Sequence, residues 1–184
     1  MSTTLSFLIR DGLESDVEPC SKLDHLYETD YVWQMNIQQE VGSWQVTFKT
    51  ERLPRTLEAK YPSDERRINL ALPDNQCFLV AVSRDEPELL AYLTMRNDPV
   101  YHIALVQDLV VSRPYRRHGI GKRLLSVART WAKEHQLTRL MVEIQTKNYP
   151  GINFCQSSGF AFCGFNDRYM PNQDIAVFFS QSIR

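Results

Sequence analysis

Between Gln107 and Leu125 the sequence runs QDLVVSRPYRRHGIGKRLL. An apolar, β-branched segment passes through a basic loop containing Gly119 and Gly121 into a stretch of helical period. Few features constrain a fold more, because the turn must carry the chain directly from strand to helix. The first N–H groups of that helix have no partner within it, and together with the positive dipole end they bind anions. Glycines let the backbone approach a phosphate closely, while Arg116, Arg117 and Lys122 add countercharge. The Walker spacing G-x-x-x-x-G-K-[ST] and the dinucleotide spacing G-x-G-x-x-G are both absent. From the loop alone, a nucleotide cofactor, nucleic acid, and a solvated basic helix cap all remain open.

Composition narrows this choice. Net charge is −1 and the pI about 6.4, so the basic cluster is local, and a nucleic-acid partner is not expected. A chain of 184 residues is read as one domain, 1–184. No apolar run approaches membrane-spanning length, so no membrane partner is expected. The opening MSTTLSFLIRDGLESD lacks a signal-peptide pattern, and Cys20, Cys77, Cys155 and Cys163 show no C-x-x-C spacing. A reduced, cytoplasmic protein without a metal is the expectation.

Periodicity gives a mixed order of elements. Leu5 to Arg10 reads as a strand. Leu13, Val17, Cys20, Leu23 and Leu26 follow at helical spacing, with Ser15 or Asp16 as caps and Pro19 in the first turn. Trp44, Val46 and Phe48 alternate as a half-buried strand, and Pro54 to Asn75 reads mostly as loop with a short helix. CFLVAVS, ELLAYLTMRN and YHIALVQDLVVS are strands of one sheet, the first two joined by a turn at RDEPE. Ile120, Leu124, Val127 or Ala128, and Trp131 form one face of a helix, with Lys122, Arg129 and Lys133 on the other. A strand (LTRLMVEIQT), a short helix ended by Gly159, and two closing strands complete a mixed α/β (α+β) sheet.

VVSRPYRRHGIGKRLLSVARTWA resembles the acetyl-CoA-binding motif R/Q-x-x-G-x-G/A of the GNAT superfamily of N-acetyltransferases. VEIQTKNYPGINFCQSSGF resembles that superfamily's next motif, a strand, an Asn, a short helix and a Gly-Phe. IRDGLESDVEPCSKLD is similar to its first strand and helix. Within the superfamily, Val106 to Gly164 is most similar to streptothricin acetyltransferases, with ETDYVWQM and QVTFKTERLP a looser match. The resemblance implies a mostly antiparallel sheet of about six to seven strands with a splayed central pair. It implies acetyl-CoA as cosubstrate, the pantetheine arm on the backbone of Leu109, Val110 and Val111, and the pyrophosphate on the amides of Arg116, Arg117, His118, Gly119, Ile120, Gly121 and Lys122. Asn148 matches an Asn that contacts the arm, and Asn153 is a second candidate.

Acetyl transfer to an amine needs a group that removes a proton from an ammonium of pKa about 10.4 and a donor for the oxyanion. A backbone N–H of the splayed strand could supply that donor. Glu143, flanked by Leu140, Met141, Val142 and Ile144, must alternate outward to solvent or face a site. It also matches the family's strand glutamate, which serves as base, often through water. Asp108 either shares that task or binds a cationic substrate. Cys155 stands where the family usually carries a tyrosine that protonates the leaving thiolate. It is either that acid, a packing residue, or a mark of lost activity; Tyr169 is a candidate substitute.

HLYETDYVWQMN interleaves Glu28 and Asp30 with Tyr27, Tyr31 and Trp33, a composition suited to a cationic, partly apolar amine, or else an amphipathic connector. The expected acceptor is a small cationic amine of the streptothricin kind, acted on by a monomer or homodimer. A protein or peptide acceptor and a non-catalytic acyl-CoA-binding module are the alternatives.

Overall fold

The computed structural model describes residues 5–61, 63–170 and 172–183. Its elements run β1 (Phe7–Asp11), α1 (Glu14–Ser21), β2 (Leu26–Glu40), β3 (Ser43–Lys60), α2 (Glu65–Asn69), β4 (Cys77–Ser83), β5 (Leu89–Asp98), β6 (Ile103–Val111), α3 (Ile120–Glu134), β7 (Arg139–Gln145), α4 (Tyr149–Ser157), β8 (Ala161–Asn166) and β9 (Ala176–Ser182). A single 3₁₀ turn, Arg113–Tyr115, stands between β6 and α3. Seven strands form one sheet in the order β1-β4-β5-β6-β7-β9-β8, and β2 pairs with β3. The described residues pack as two compact units, one from within 5–26, 61–143 and 180–183, the other from within 27–60 and 144–179.

In the first unit β1, β4, β5 and β6 are antiparallel neighbours, and β6 runs parallel to β7. Residues of both parities are buried along β4, Phe78 and Val80 as well as Leu79 and Ala81, so both sheet faces are covered. Val17 and Cys20 of α1, Ile68 of α2 and the following Ala71 close on Phe78, Val80, Tyr92 and Val110. Helix α3 packs on β4, β5 and β6 through Ile120, Leu124, Leu125, Ala128 and Ala132, which settles Ala128 over Val127. Each fully buried leucine of such a stripe contributes roughly 1.5–3 kcal/mol. Trp131 is only half-buried and stacks on His135 at 3.8 Å between ring centroids.

Several local expectations change. Helix α1 is shorter than its apolar spacing suggested. Leu13 is its N-cap, Asp16 reaches back to accept the Leu13 N–H at 2.8 Å, and Pro19 lies in the second turn. The reading of Pro54 to Asn75 as mostly loop gives way to β3 through Lys60 and then helix α2, whose N-cap Asp64 accepts the Arg67 N–H at 2.8 Å.

In the second unit β2 and β3 form a long ribbon, turned at Gly42 with φ +82°. Trp44 is 67% exposed, so the half-buried strand expected there begins its burial only near Phe48. Trp33, Phe48, Phe162 and Phe179 pack ring against ring with centroids 5.3–6.1 Å apart, and Phe165 joins through Phe48.

Candidate active site

Strand β6 changes partners along its length. Its parallel ladder with β7 covers Ile103 to Val106, ending at Val142. On the β5 side, Thr94 pairs with Asp108 and Met95 with Val106, which leaves Gln107 as a one-residue bulge. Beyond it, the Ser112 N–H donates to Leu90 O at 2.9 Å. Hydrogen-bonded pairs alternate in an antiparallel ladder, so Val110 and Asp108 bond to β5. Leu109 and Val111 turn their N–H and C=O groups to the opposite edge, where the β7 ladder has ended. That edge offers an extended ligand the N–H and C=O of Leu109 and the N–H of Val111, whose own carbonyl accepts from Arg116 Nε at 2.9 Å.

The loop after β6 is curled. Arg117 and Gly119 adopt φ +70° and +83°, two left-handed residues within three positions. Such geometry costs a non-glycine residue of order 1–3 kcal/mol, and glycine little. A Cβ on Gly119 would meet nothing within 4 Å, so only the backbone angle demands glycine. Gly119 is the N-cap of α3 with no side-chain cap, leaving the first N–H groups of a 15-residue helix for an anion. Arg117, His118 and Lys122 are exposed there. Arg116 differs: its Nε donates to Val111 O at 2.9 Å and its guanidinium to Asp24 O at 3.2 Å. Burial lowers its pKa from the usual value. Its side chain braces the loop instead of facing solvent.

Glu143 is the residue after the last β6–β7 pair, and it is buried, as is Asp108. Both meet Arg67 of α2. The guanidinium donates through Nε to Asp108 Oδ1 at 2.8 Å and through one terminal nitrogen to Glu143 Oε1 at 2.6 Å. That nitrogen also reaches Gln107 O at 2.8 Å and Tyr61 Oη at 3.3 Å. Thr94 Oγ1 donates to Asp108 Oδ2 at 2.6 Å, and Tyr61 Oη to Gln107 O at 2.6 Å. Burial works against the charge on Arg67, but the field of Asp108 and the bond to Glu143 outweigh it and hold the guanidinium above its ordinary range. Burial pushes the Tyr61 hydroxyl well up. The result is a closed network of two carboxylates and one cation.

In the second unit, Asn148 caps α4, its Oδ1 accepting the Gly151 N–H at 2.9 Å. A Cβ on Gly151 would lie 2.9 Å from that side chain, so this cap requires glycine. Asn153 is exposed on the same helix and Cys155 is buried, its thiol pushed up to about 12 by burial. Tyr31 lies against Tyr149 at 5.5 Å and Tyr169 against Phe178 at 5.5 Å. Asp30 accepts from Thr56 Oγ1 at 2.7 Å. Because residues 26–40 are a strand, alternation sends Glu28 and Asp30 to one face and Tyr27, Tyr31 and Trp33 to the other. The interleaving that suggested one acidic, aromatic pocket therefore separates its two ingredients.

The profile of the Acetyltransferase (GNAT) family matches residues 33–160. This chain belongs to the GNAT acetyltransferase family. It is 26% identical over 144 residues to streptothricin acetyltransferase A of Bacillus subtilis (strain 168), covering 76% of this chain and 80% of that protein. It is 33% identical over 93 residues to a streptothricin acetyltransferase of Escherichia coli, about half of each chain. In fold it is similar to a nourseothricin acetyltransferase (TM-score 0.83, 20% identity, 97% and 99% of the two chains). It is also similar to a protein of Bacillus anthracis str. Ames assigned as a streptothricin acetyltransferase and solved with acetyl coenzyme A (TM-score 0.78, 22% identity, 97% and 99%). The protein is thus an acetyl-CoA-dependent N-acetyltransferase on the GNAT fold, with the seven-stranded sheet and parallel β6–β7 pair described above.

Two features of the first unit stand ready for an extended, anionic ligand: an edge of β6 open at Leu109 and Val111, and a curled, basic loop ending at a helix N-terminus with no side-chain cap. Arg67 is the site residue that reading the sequence missed. DERRIN carries no periodic or motif signal, and only the fold brings its fourth residue to Asp108 and Glu143. Among the described residues no group of three or more His, Cys, Asp or Glu could hold a metal, and no helix is long and apolar enough to cross a membrane.

Proposed function

We propose that this GNAT enzyme acetylates a primary amine on a small cationic molecule of the streptothricin kind. The charge of the network carries the reading. Asp108 and Glu143 share the single guanidinium of Arg67, which leaves a net negative charge at the end of the β6–β7 ladder. A protonated amine is the ligand that balances it, and the similarity to streptothricin acetyltransferases points to the same acceptor class.

The reaction forms a C–N bond to the acceptor nitrogen and breaks the C–S bond of the thioester. The ammonium gives up two protons in all, of which the departing thiolate regains one. In this reading the backbone of Leu109 and Val111 holds the pantetheine arm, and the amides of Arg117 to Lys122 hold the pyrophosphate. Glu143 takes the acceptor proton, directly or through a water molecule, while Asp108 supplies field and anchors Arg67. An open-edge N–H is the donor for the oxyanion. Cys155 serves packing of α4, because a thiol held near 12 gives up its proton far less readily than one at the ordinary value of about 8.5.

The test is a panel of amines, with release of free CoA as the readout. Turnover with a streptothricin-class compound or a short polyamine, and none with lysine-containing or free-N-terminal peptides, is the expected result. Turnover with peptides alone, or acetyl-CoA binding with no thiol released by any amine, would overturn it.

A further inference from the structure

We propose that Arg67 is a positioning residue for acetyl transfer. With one guanidinium it contacts both the Glu143 carboxylate and the Gln107 bulge carbonyl, so the base and the start of the open edge share one support, to which the Tyr61 hydroxyl adds a second bond at Gln107 O. The proposal rests on the reading of Glu143 as the base.

The support is rigid at its root. The Arg67 N–H is held by the Asp64 cap, and the next residue, Ile68, is fully buried. It is also rigid at its tip, since Asp108 is locked between Arg67 Nε and Thr94 Oγ1. The terminal nitrogen that meets Glu143 Oε1 at 2.6 Å meets Gln107 O at 2.8 Å. A shift of that nitrogen moves its bonds to the bulge and to the base together. A planar fork can serve Nε and terminal partners together, whereas a lysine ammonium has one point of attachment.

The groups facing this network come from five places: Cys20 on α1, Tyr61 before α2, Tyr92 on β5, Asp108 on β6 and Glu143 on β7. Burial pushes Cys20, Tyr61 and Tyr92 upward, so they stay neutral near pH 7. His25 lies behind Tyr92, its Nδ1 donating to Leu23 O and its Nε2 3.0 Å from Tyr92 Oη. Charge in the network therefore resides on Arg67, Asp108 and Glu143.

A double-mutant cycle separates positioning from plain structure. Glu143→Gln is expected to lower kcat roughly 100-fold, the scale of a general base. Arg67→Lys is expected to lower kcat about tenfold in the wild-type background and less than about twofold beside Glu143→Gln, because its effect passes through that carboxylate. Equal losses in both backgrounds, or an unchanged kcat for Arg67→Lys alone, would overturn the proposal while leaving Glu143 as the base. A Glu143→Gln variant with wild-type kcat would instead remove the base assignment and the inference with it. Should Arg67→Lys fail to fold, Arg67→Gln with Asp108→Asn removes one charge of each sign. That pair is read in the same cycle, with kcat expected to fall about tenfold in the wild-type background and less than about twofold further beside Glu143→Gln. Equal losses in both backgrounds would refute the role.

Discussion

Two regions of the first unit handle charge in opposite ways. The loop from Arg113 to Lys122 keeps Arg117, His118 and Lys122 in solvent and offers backbone N–H groups that no side chain caps. The Arg67 network buries two carboxylates around one cation, with each recorded bond at 3.3 Å or less. The first, proposed as an anion cradle, is exposed and rests on backbone more than on any one side chain. The second is a desolvated cluster in which every member depends on the others. Exposed ion contacts contribute little to stability, whereas breaking a buried pair leaves an uncompensated charge.

The largest effect should therefore come from Arg67→Ala. It strands Asp108 in the core, and a loss of about 3–5 kcal/mol in denaturant unfolding is expected. A loss below about 1 kcal/mol would put the network in the same class as the loop. Next is Gly119→Ala, which forces a side chain to φ +83° at a strain of about 1–2 kcal/mol. Because a Cβ there meets nothing, the damage should fall on the backbone cradle. KM for acetyl-CoA is expected to rise severalfold with the acceptor KM unchanged.

Between the extremes lies the part-exposed pair of Arg10 and Asp16, joined by bonds of 2.6 and 2.9 Å. The bond from Arg10 holds the Asp16 carboxyl below its usual range. The folded state thus favours the ionised form, so the pair's stabilisation is present above about pH 4 and lost as pH falls through the lowered value. Asp16→Asn should lower the thermal midpoint at pH 7 and flatten its acid-side slope. Smaller still is Lys122→Ala, which should weaken acetyl-CoA binding a few-fold at low salt and hardly at all at about 0.5 M. Cys155→Ser should leave turnover within about twofold, and alkylation at pH 8 should label the exposed Cys163 before Cys155, Cys20 or Cys77. A Cys155→Ser variant with a shifted pH profile would return the thiol to the chemistry.

The same contrast explains what the sequence disclosed. The cradle is built from consecutive backbone, so its spacing of arginine and glycines between strand and helix was readable in order, as were β4 to β7 and α3. Glu143 was visible as an acid inside an apolar strand. Arg67 was not, because a salt bridge to residues 41 and 76 positions away leaves no periodic trace. The acidic and aromatic residues around Asp30 misled for a related reason. Composition lists neighbours, and only the knowledge that they form a strand reveals that they part to opposite faces. The open edge at Leu109 and Val111 depends on one bulge, which apolar patterning does not record.

That bulge sets the phase of everything after it. Without residue 107, Val106 and Asp108 would be consecutive partners of Met95 and Thr94, and β6 would continue as an unbroken strand between β5 and β7. The sheet would gain ladder hydrogen bonds and lose the open edge proposed above for the pantetheine arm. A lineage selected for stability alone would have no use for the extra residue, whereas one using that edge as proposed could not drop a single codon there.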